Sequence, residues 1–219
     1  MQQPVSRSSR VNRTTRFLTV GCTIVTSLMF VAMSTSSTGA EQEAAQPANS
    51  ASVELNLDVS AAVVLDKEVN GMPAGTRLIS TRSFYEYSLA PVVDGIKKRK
   101  ELGWQECSWA SEDNEAAHGI EIQFGKPQQG GRFQVTWAYD IHNADNGKWW
   151  ISRNYVIQVK EKAADAWKTV ITVKNNQSAV GSYPLPKEAI GYLRIYQLPL
   201  GGHMDRPNIM WIGQVELAE

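Results

Sequence analysis

Trp149 and Trp150 stand side by side just ahead of Arg153 and Asn154, in a stretch that also carries His142 and Asn143. An indole face suits the CH-rich side of a sugar ring, and planar amide, imidazole and guanidinium groups suit its hydroxyls. The segment from Ala138 to Asn154 therefore reads as a loop able to recognise carbohydrate. Gly202-His203-Met204-Asp205-Arg206 is a second polar cluster, with His203 and Arg206 as further candidates for the same end of the fold. Each residue also has a plain structural role open to it. One Trp can plug the space under the loop, Arg153 can be an ordinary surface residue, and His203 can be a cap. Adjacent residues in extended chain point to opposite sides, so at most one of the two indoles is expected to face solvent.

Catalytic patterns are missing from the sequence. It contains no Gly-x-Ser-x-Gly elbow, no His-Glu-x-x-His and no paired His and Cys spacing for a metal. Asp140 and Asp145 are the only acid pair in the candidate loop, and two acids in one loop do not make the opposed carboxylates of a glycosidase.

The elements that must hold these residues begin after an N-terminal segment of different composition. Residues 1–40 run from Arg7, Arg10, Arg13 and Arg16 through an apolar stretch, Phe17 to Met33, to small residues ending at Ala40. That order is that of a secretory signal, with an uncleaved anchor as the alternative. Residues 41–52 are Glu, Ala, Gln, Pro, Asn and Ser without a periodic apolar face and are expected to be a disordered leader. Residues 53–219 are expected to form one domain.

Cleavage after Ala40 would remove four of the 22 basic residues and none of the 22 acidic ones, leaving 18 against 22. This excess of acid, with Lys97-Lys98-Arg99-Lys100 as the one basic run, argues against a nucleic-acid partner. Cys107 would remain alone, so no internal disulfide is expected; between Glu106 and Ser108, close to Trp109, it reads as a buried small apolar side chain.

The domain reads as all-β. Ile120, Ile122 and Phe124 alternate with Glu121 and Gln123, and Phe133, Val135 and Trp137 alternate with Gln134 and Thr136. Period two marks strands with one dry face. Gly125 to Gly131 between them is rich in turn residues, and the two runs are expected to be adjacent antiparallel strands. Val53 to Val59 reads as a first strand, Leu89 to Gly95 as a short helical turn, Ala138 to Ser152 as a long loop and Asn175 to Pro186 as another. Strands are expected at Tyr155–Val159, Trp167–Ile171, Tyr192–Tyr196 and Ile209–Leu217. Trp109, Trp137 and Trp167 read as core fillers, and Arg194 as needing a buried or edge partner such as Asp94.

The order of these pieces resembles the discoidin family, also called coagulation factor 5/8 type C or galactose-binding-like domains. The resemblance spans about residues 80–219. It is carried by Val93-Asp94-Gly95, Trp109, Gly119 to Pro127, Tyr155 to Val159, Trp167, Tyr192 to Ile195 and Ile212 to Leu217. It implies a jelly-roll β-sandwich that binds a ligand, most often a glycan, through loops at one end and without catalysis. Many sugar-binding relatives hold a structural calcium. Here Ile96 stands where a second acid is common and Gln214 where a Glu would be, so no cofactor is expected and bound calcium is the less favoured alternative. The disulfide that ties the termini of animal relatives has no counterpart.

The sequence thus leads to an exported, monomeric, non-catalytic module at the cell surface or beyond. Its expected ligand is a glycan, met by Trp149, Trp150, Arg153, Asn154, His142, Asn143, His203 and Arg206. The alternative is a surface protein met by the same loop face.

Overall fold

The computed structural model describes residues 53–95, 106–142 and 147–219. The expected signal and leader, the basic run at 97–100, Ile96 and Asn143 lie outside the described residues.

Two antiparallel sheets pack face to face as a jelly-roll β-sandwich. The six-stranded sheet has the order β1 (Leu57–Val64), β2 (Arg77–Thr81), β4 (His118–Gln128), β10 (Ile190–Gln197), β7 (Tyr155–Lys160) and β8 (Lys168–Val173). Facing it is a sheet of β3 (Trp109–Ala110), β11 (Trp211–Ala218), β5 (Arg132–Asp140) and β6 (Lys148–Trp150), with β9 (Val180–Pro184) also paired to β5. The short 3-10 turn at Ala90–Val93 ends near Gly95, whose φ of +83° suits a residue without Cβ.

The alternating runs of β4 and β5 do form strands, but not partners. β4 pairs with β2 and β10, whereas β5 pairs with β11, β6 and β9. Gly130 and Gly131, at φ +62° and +70°, carry the chain from one sheet to the other, and Gly130 N–H donates to Pro186 O at 2.7 Å. Ile120, Ile122 and Phe124 therefore meet Phe133, Val135 and Trp137 across the core instead of along a ladder. Alternation reports a dry face; it says nothing of which strand lies alongside.

Other expectations need correction in detail. β1 starts at Leu57, and a bulge between Asp58 and Val63 leaves Val59 exposed. β2 escapes the sequence pattern because it is short and ends in Ser80 and Thr81. β9 escapes because Gly181 and Pro184 read as loop. Ala138–Ser152 is not one long loop: its two ends pair as strands, with Ala138 opposite Trp150 and Asp140 opposite Lys148.

Trp109 and Trp137 are fully buried in the core, and Cys107 is buried. Trp167 is not a core filler: it lies half-buried on the outer face, with the Arg194 guanidinium 4.4 Å from its ring centroid. The partners of Arg194 are Gln158, through Nε–H to Oε1 at 2.7 Å, and the carbonyl of Val53, through Nη2 at 3.0 Å, rather than Asp94. Its cross-strand neighbours are Glu121 and Gln158, so a polar row crosses the sheet beneath the N-terminal segment.

Trp137 packs edge-to-face on Tyr155 with centroids 5.0 Å apart, and the Tyr155 hydroxyl meets that of Tyr183 inside the core. Trp137→Ala should cost about 3–5 kcal/mol of stability, read by urea unfolding followed with far-UV circular dichroism. His118 is buried, and its Nε2–H donates to Asn114 O at 3.1 Å; burial holds its pKa below the ordinary value of 6.5 despite that bond and the nearby acids. The unfolded chain takes up this proton near 6.5 and the folded chain only at lower pH. Stability should therefore fall as pH drops below about 6.5. Thermal melts from pH 7.5 to 5 should show this slope, and His118→Gln should flatten part of it.

Candidate functional site

Arg153 and His203 meet at the sandwich end where β6 runs into β7 and where β8 and β10 leave the six-stranded sheet. Three segments build this rim: Ile151–Asn154, Asn175–Ser178 and Gly201–Arg206. Gly201 O accepts from the backbone N–H groups of Arg153 at 2.7 Å and Asn154 at 2.9 Å. Arg153 Nε–H donates to Gly202 O at 2.8 Å, and Nη2 reaches Leu200 O at 3.4 Å. Asn154 Oδ1 accepts from Asn175 N–H at 3.0 Å. Asn176 Nδ2 donates to Ser152 O at 3.1 Å and Ser178 O at 3.2 Å.

Close approach, not flexibility, explains the glycine pair. A Cβ at Gly201 would stand 2.4 Å from Asn154 O, and one at Gly202 would stand 2.7 to 2.8 Å from the carbonyl oxygens of Ile209, Arg206 and Pro207. Only a hydrogen fits in either place.

These segments enclose a hollow of about 400 Å³ lined by Ile151, Arg153, Asn175, Gln177, His203 and Met204, with Asn176 contributing as well. Its floor is half-buried Ile151, and Met204 is 73% exposed at its edge. Asn175 has φ +54°, a left-handed conformation that Asn tolerates, and it and Gln177 are exposed.

His203 is the most defined polar group of the hollow. Its Nδ1 accepts from Asp205 N–H at 3.1 Å, which puts the proton of the neutral ring on Nε2. Burial and then Lys148 lower its pKa from 6.5, against the opposing pull of Asp205, so the ring is neutral at pH 7 and Nε2–H is a donor. Lys148 bonds Asp205 and lies 4.3 Å from the Trp150 ring centroid, which ties the hairpin to the rim.

Seven of the eight sequence candidates separate into three groups. Arg153 and His203 line the hollow. Trp150 and Asn154 support it from behind: Trp150 is buried, edge-to-face with His203 at 5.1 Å, and takes the role of plug. The third group lies off it. Trp149 is half-buried against Tyr139 at 4.8 Å, Arg206 pairs with Asp113 at 3.2 Å, and His142 sits exposed past β5 with its N–H bonded to Asp140 Oδ1 at 2.9 Å. Asn143 lies outside the described residues. The sequence candidates leave out Asn175, Asn176 and Gln177, and hold Ile151 and Met204 only as members of the 138–154 and 202–206 segments. The polar run Asn175-Asn176-Gln177 was the available signal, but nothing local shows that it meets Arg153.

Gln214 Oε1 is a buried oxygen without a hydrogen bond, yet no three His, Cys, Asp or Glu side chains gather there or elsewhere among the described residues. A calcium cage needs several oxygens including carboxylates.

The sequence matches no protein-family profile and no curated protein. Among solved structures, the chain is similar to chitosan-binding module 1 derived from a chitosanase/glucanase of Paenibacillus sp. IK-5, at 15% identity and TM-score 0.48, covering 71% of this chain and 97% of that one. It is likewise similar to a fucose-binding module of Streptococcus pneumoniae, at 15% identity and TM-score 0.49, covering 71% and 96%. A Ruminococcus gnavus GH29 fucosidase, in complex with fucose, aligns at 14% identity and TM-score 0.49 over 66% of this chain, which spans only 25% of that enzyme's length.

Proposed function

We propose that this chain is an exported, non-catalytic carbohydrate-binding module and that the rim hollow takes the glycan. One observation carries the reading: Arg153, Gln177, Asn175 and the neutral imidazole of His203 converge on one cavity with an apolar floor. Pockets of this size with a few convergent polar groups are the usual form of a small-ligand site.

The ring surface offered to a sugar is that of His203 together with the Met204 side chain. Trp150 acts from beneath, holding His203 in place. Asn175 and Gln177 supply amides, and Arg153 supplies a guanidinium already aligned by two backbone carbonyls. A pre-ordered donor loses less entropy on binding than a mobile one. The Lys148–Asp205 pair is an additional brace.

Screening of the purified protein against immobilised glycans should find a saturable ligand. Gln177→Ala and Asn175→Gly each remove an amide at an exposed position, and Asn175→Gly keeps the left-handed backbone. Each should weaken binding by about three- to tenfold, with no change in melting temperature beyond a few degrees. Trp150→Ala should weaken binding more, because it frees His203. Unchanged binding in all three variants would reject the hollow as the site, and retention of a surface protein instead of any glycan would favour the protein-partner reading.

A further inference from the structure

The six-stranded sheet has an outward face that the rim does not use. Arg77 of β2 stands opposite Gln123 of β4, Gln123 opposite Tyr192 of β10, and Tyr192 opposite Lys160 of β7. Their chain neighbours Leu78, Ile122, Leu193 and Val159 are in the core, so these four side chains rise from the opposite face in one row. All four are half-buried. A hollow of about 620 Å³ lies along this row and is also lined by Glu161 and Lys162.

The groups around the hollow differ in how far they are committed. Lys160 Nζ donates to Ala163 O at 2.8 Å and lies 4.6 Å from the Trp167 centroid and 4.9 Å from that of Tyr192, so it is held and it steadies the tyrosine ring. Glu161 pairs with Lys162 at 3.7 Å. The Arg77 guanidinium makes no hydrogen bond or ion pair with any described residue, although the residue is partly withdrawn from water. A half-buried guanidinium without a protein acceptor is matched by a carboxylate, which it binds through two parallel N–H···O bonds. Of the titratable groups lining the hollow, Glu161 alone is acidic, and it stands beside Lys162 on the exposed edge.

We propose that this face is a second ligand site, for an oligosaccharide that carries carboxylates, with Arg77 binding the carboxylate, Tyr192 stacking on a ring and Gln123 bonding hydroxyls. Strands spaced about 4.8 Å apart present these groups as successive steps across the sheet. An extended chain of sugar rings meets such a row one ring at a time. The hollow adjoins the Gln123–Gln128 length of β4, whereas the rim adjoins the Tyr155 end of β7 and the Gln197 end of β10, so the two sites are separate.

Isothermal titration with tetragalacturonate and with its methyl-esterified form tests the assignment on the purified full chain. Tetragalacturonate should bind saturably and more weakly as salt rises, and the ester should bind at least about tenfold more weakly. Arg77→Gln and Tyr192→Leu should each lower the affinity by a similar factor, while the rim variant Gln177→Ala should leave it unchanged. Equal binding of acid and ester, full affinity in Arg77→Gln, or absence of saturation would overturn the proposal. So would equally tight binding of tetraglutamate, which would make the site one for acidic peptide. Loss of affinity in Gln177→Ala would place the acid at the rim and overturn it too, and none of these outcomes bears on neutral glycans at the rim.

Discussion

The contact between the inner faces of β4 and β5 is the constraint on which the remaining structure depends. Ile120, Ile122 and Phe124 on one sheet and Phe133, Val135 and Trp137 on the other belong to a single dry core. Facing sheets interdigitate at a fixed separation, and each strand then has only one choice of which side chains turn inward. A shift of one residue in β4 would bring Glu121 and Gln123 into that core. The register of β10 and β2 on β4, and of β11 and β9 on β5, is set with it.

Once the inner faces are decided, the outer ones are decided as well, and function has to be found in what remains. On the six-stranded sheet the remainder includes a charged and aromatic ladder in which Arg194 lies over Trp167 and within 5.3 Å of the Tyr196 ring centroid, while Lys160 sits between Trp167 and Tyr192. The attraction of a cation to an aromatic face offsets part of the desolvation that burial imposes on Arg194. Arg77 lies outside this ladder, and that separates it from Arg194, whose donors reach Gln158 and Val53.

The rim follows a different logic. Its loops are held by side chains that bond backbone carbonyls: Arg153 to Gly202, Asn176 to Ser152, and Gln197 Nε2 to Pro207 at 3.2 Å. Such bonds satisfy loop carbonyls that no ladder reaches. They also consume much of the hydrogen-bonding capacity that a sequence reader would assign to a ligand. Arg153 and Asn154 serve the loops first, and what they leave open is set by geometry. The two tryptophans show the same economy, Trp150 as support and Trp149 as a partner of Tyr139.

Several features could be read without coordinates because they depend on residues near in sequence. The period-two runs at 119–124 and 133–137, the burial of Trp109 and Trp137, the 3-10 turn before Gly95 and the all-β class are of this kind. Strands lacking that periodicity, β2 with Ser80 and Thr81 and β9 with Gly181 and Pro184, gave no such signal. That one indole of the adjacent pair would be buried also followed from local geometry, since neighbours in a strand face opposite ways. Which indole, which strands pair, and which polar residues meet are questions about distant segments. Asn175 and Arg153 reach one hollow only because β8 and β7 are neighbours in the sheet, and Arg77 reaches Tyr192 only through the register of β4 between them. Chain alternation determines what is dry; only the packing of two sheets decides what is adjacent, because adjacency here comes from ladder bonds and core contacts between residues far apart in the chain.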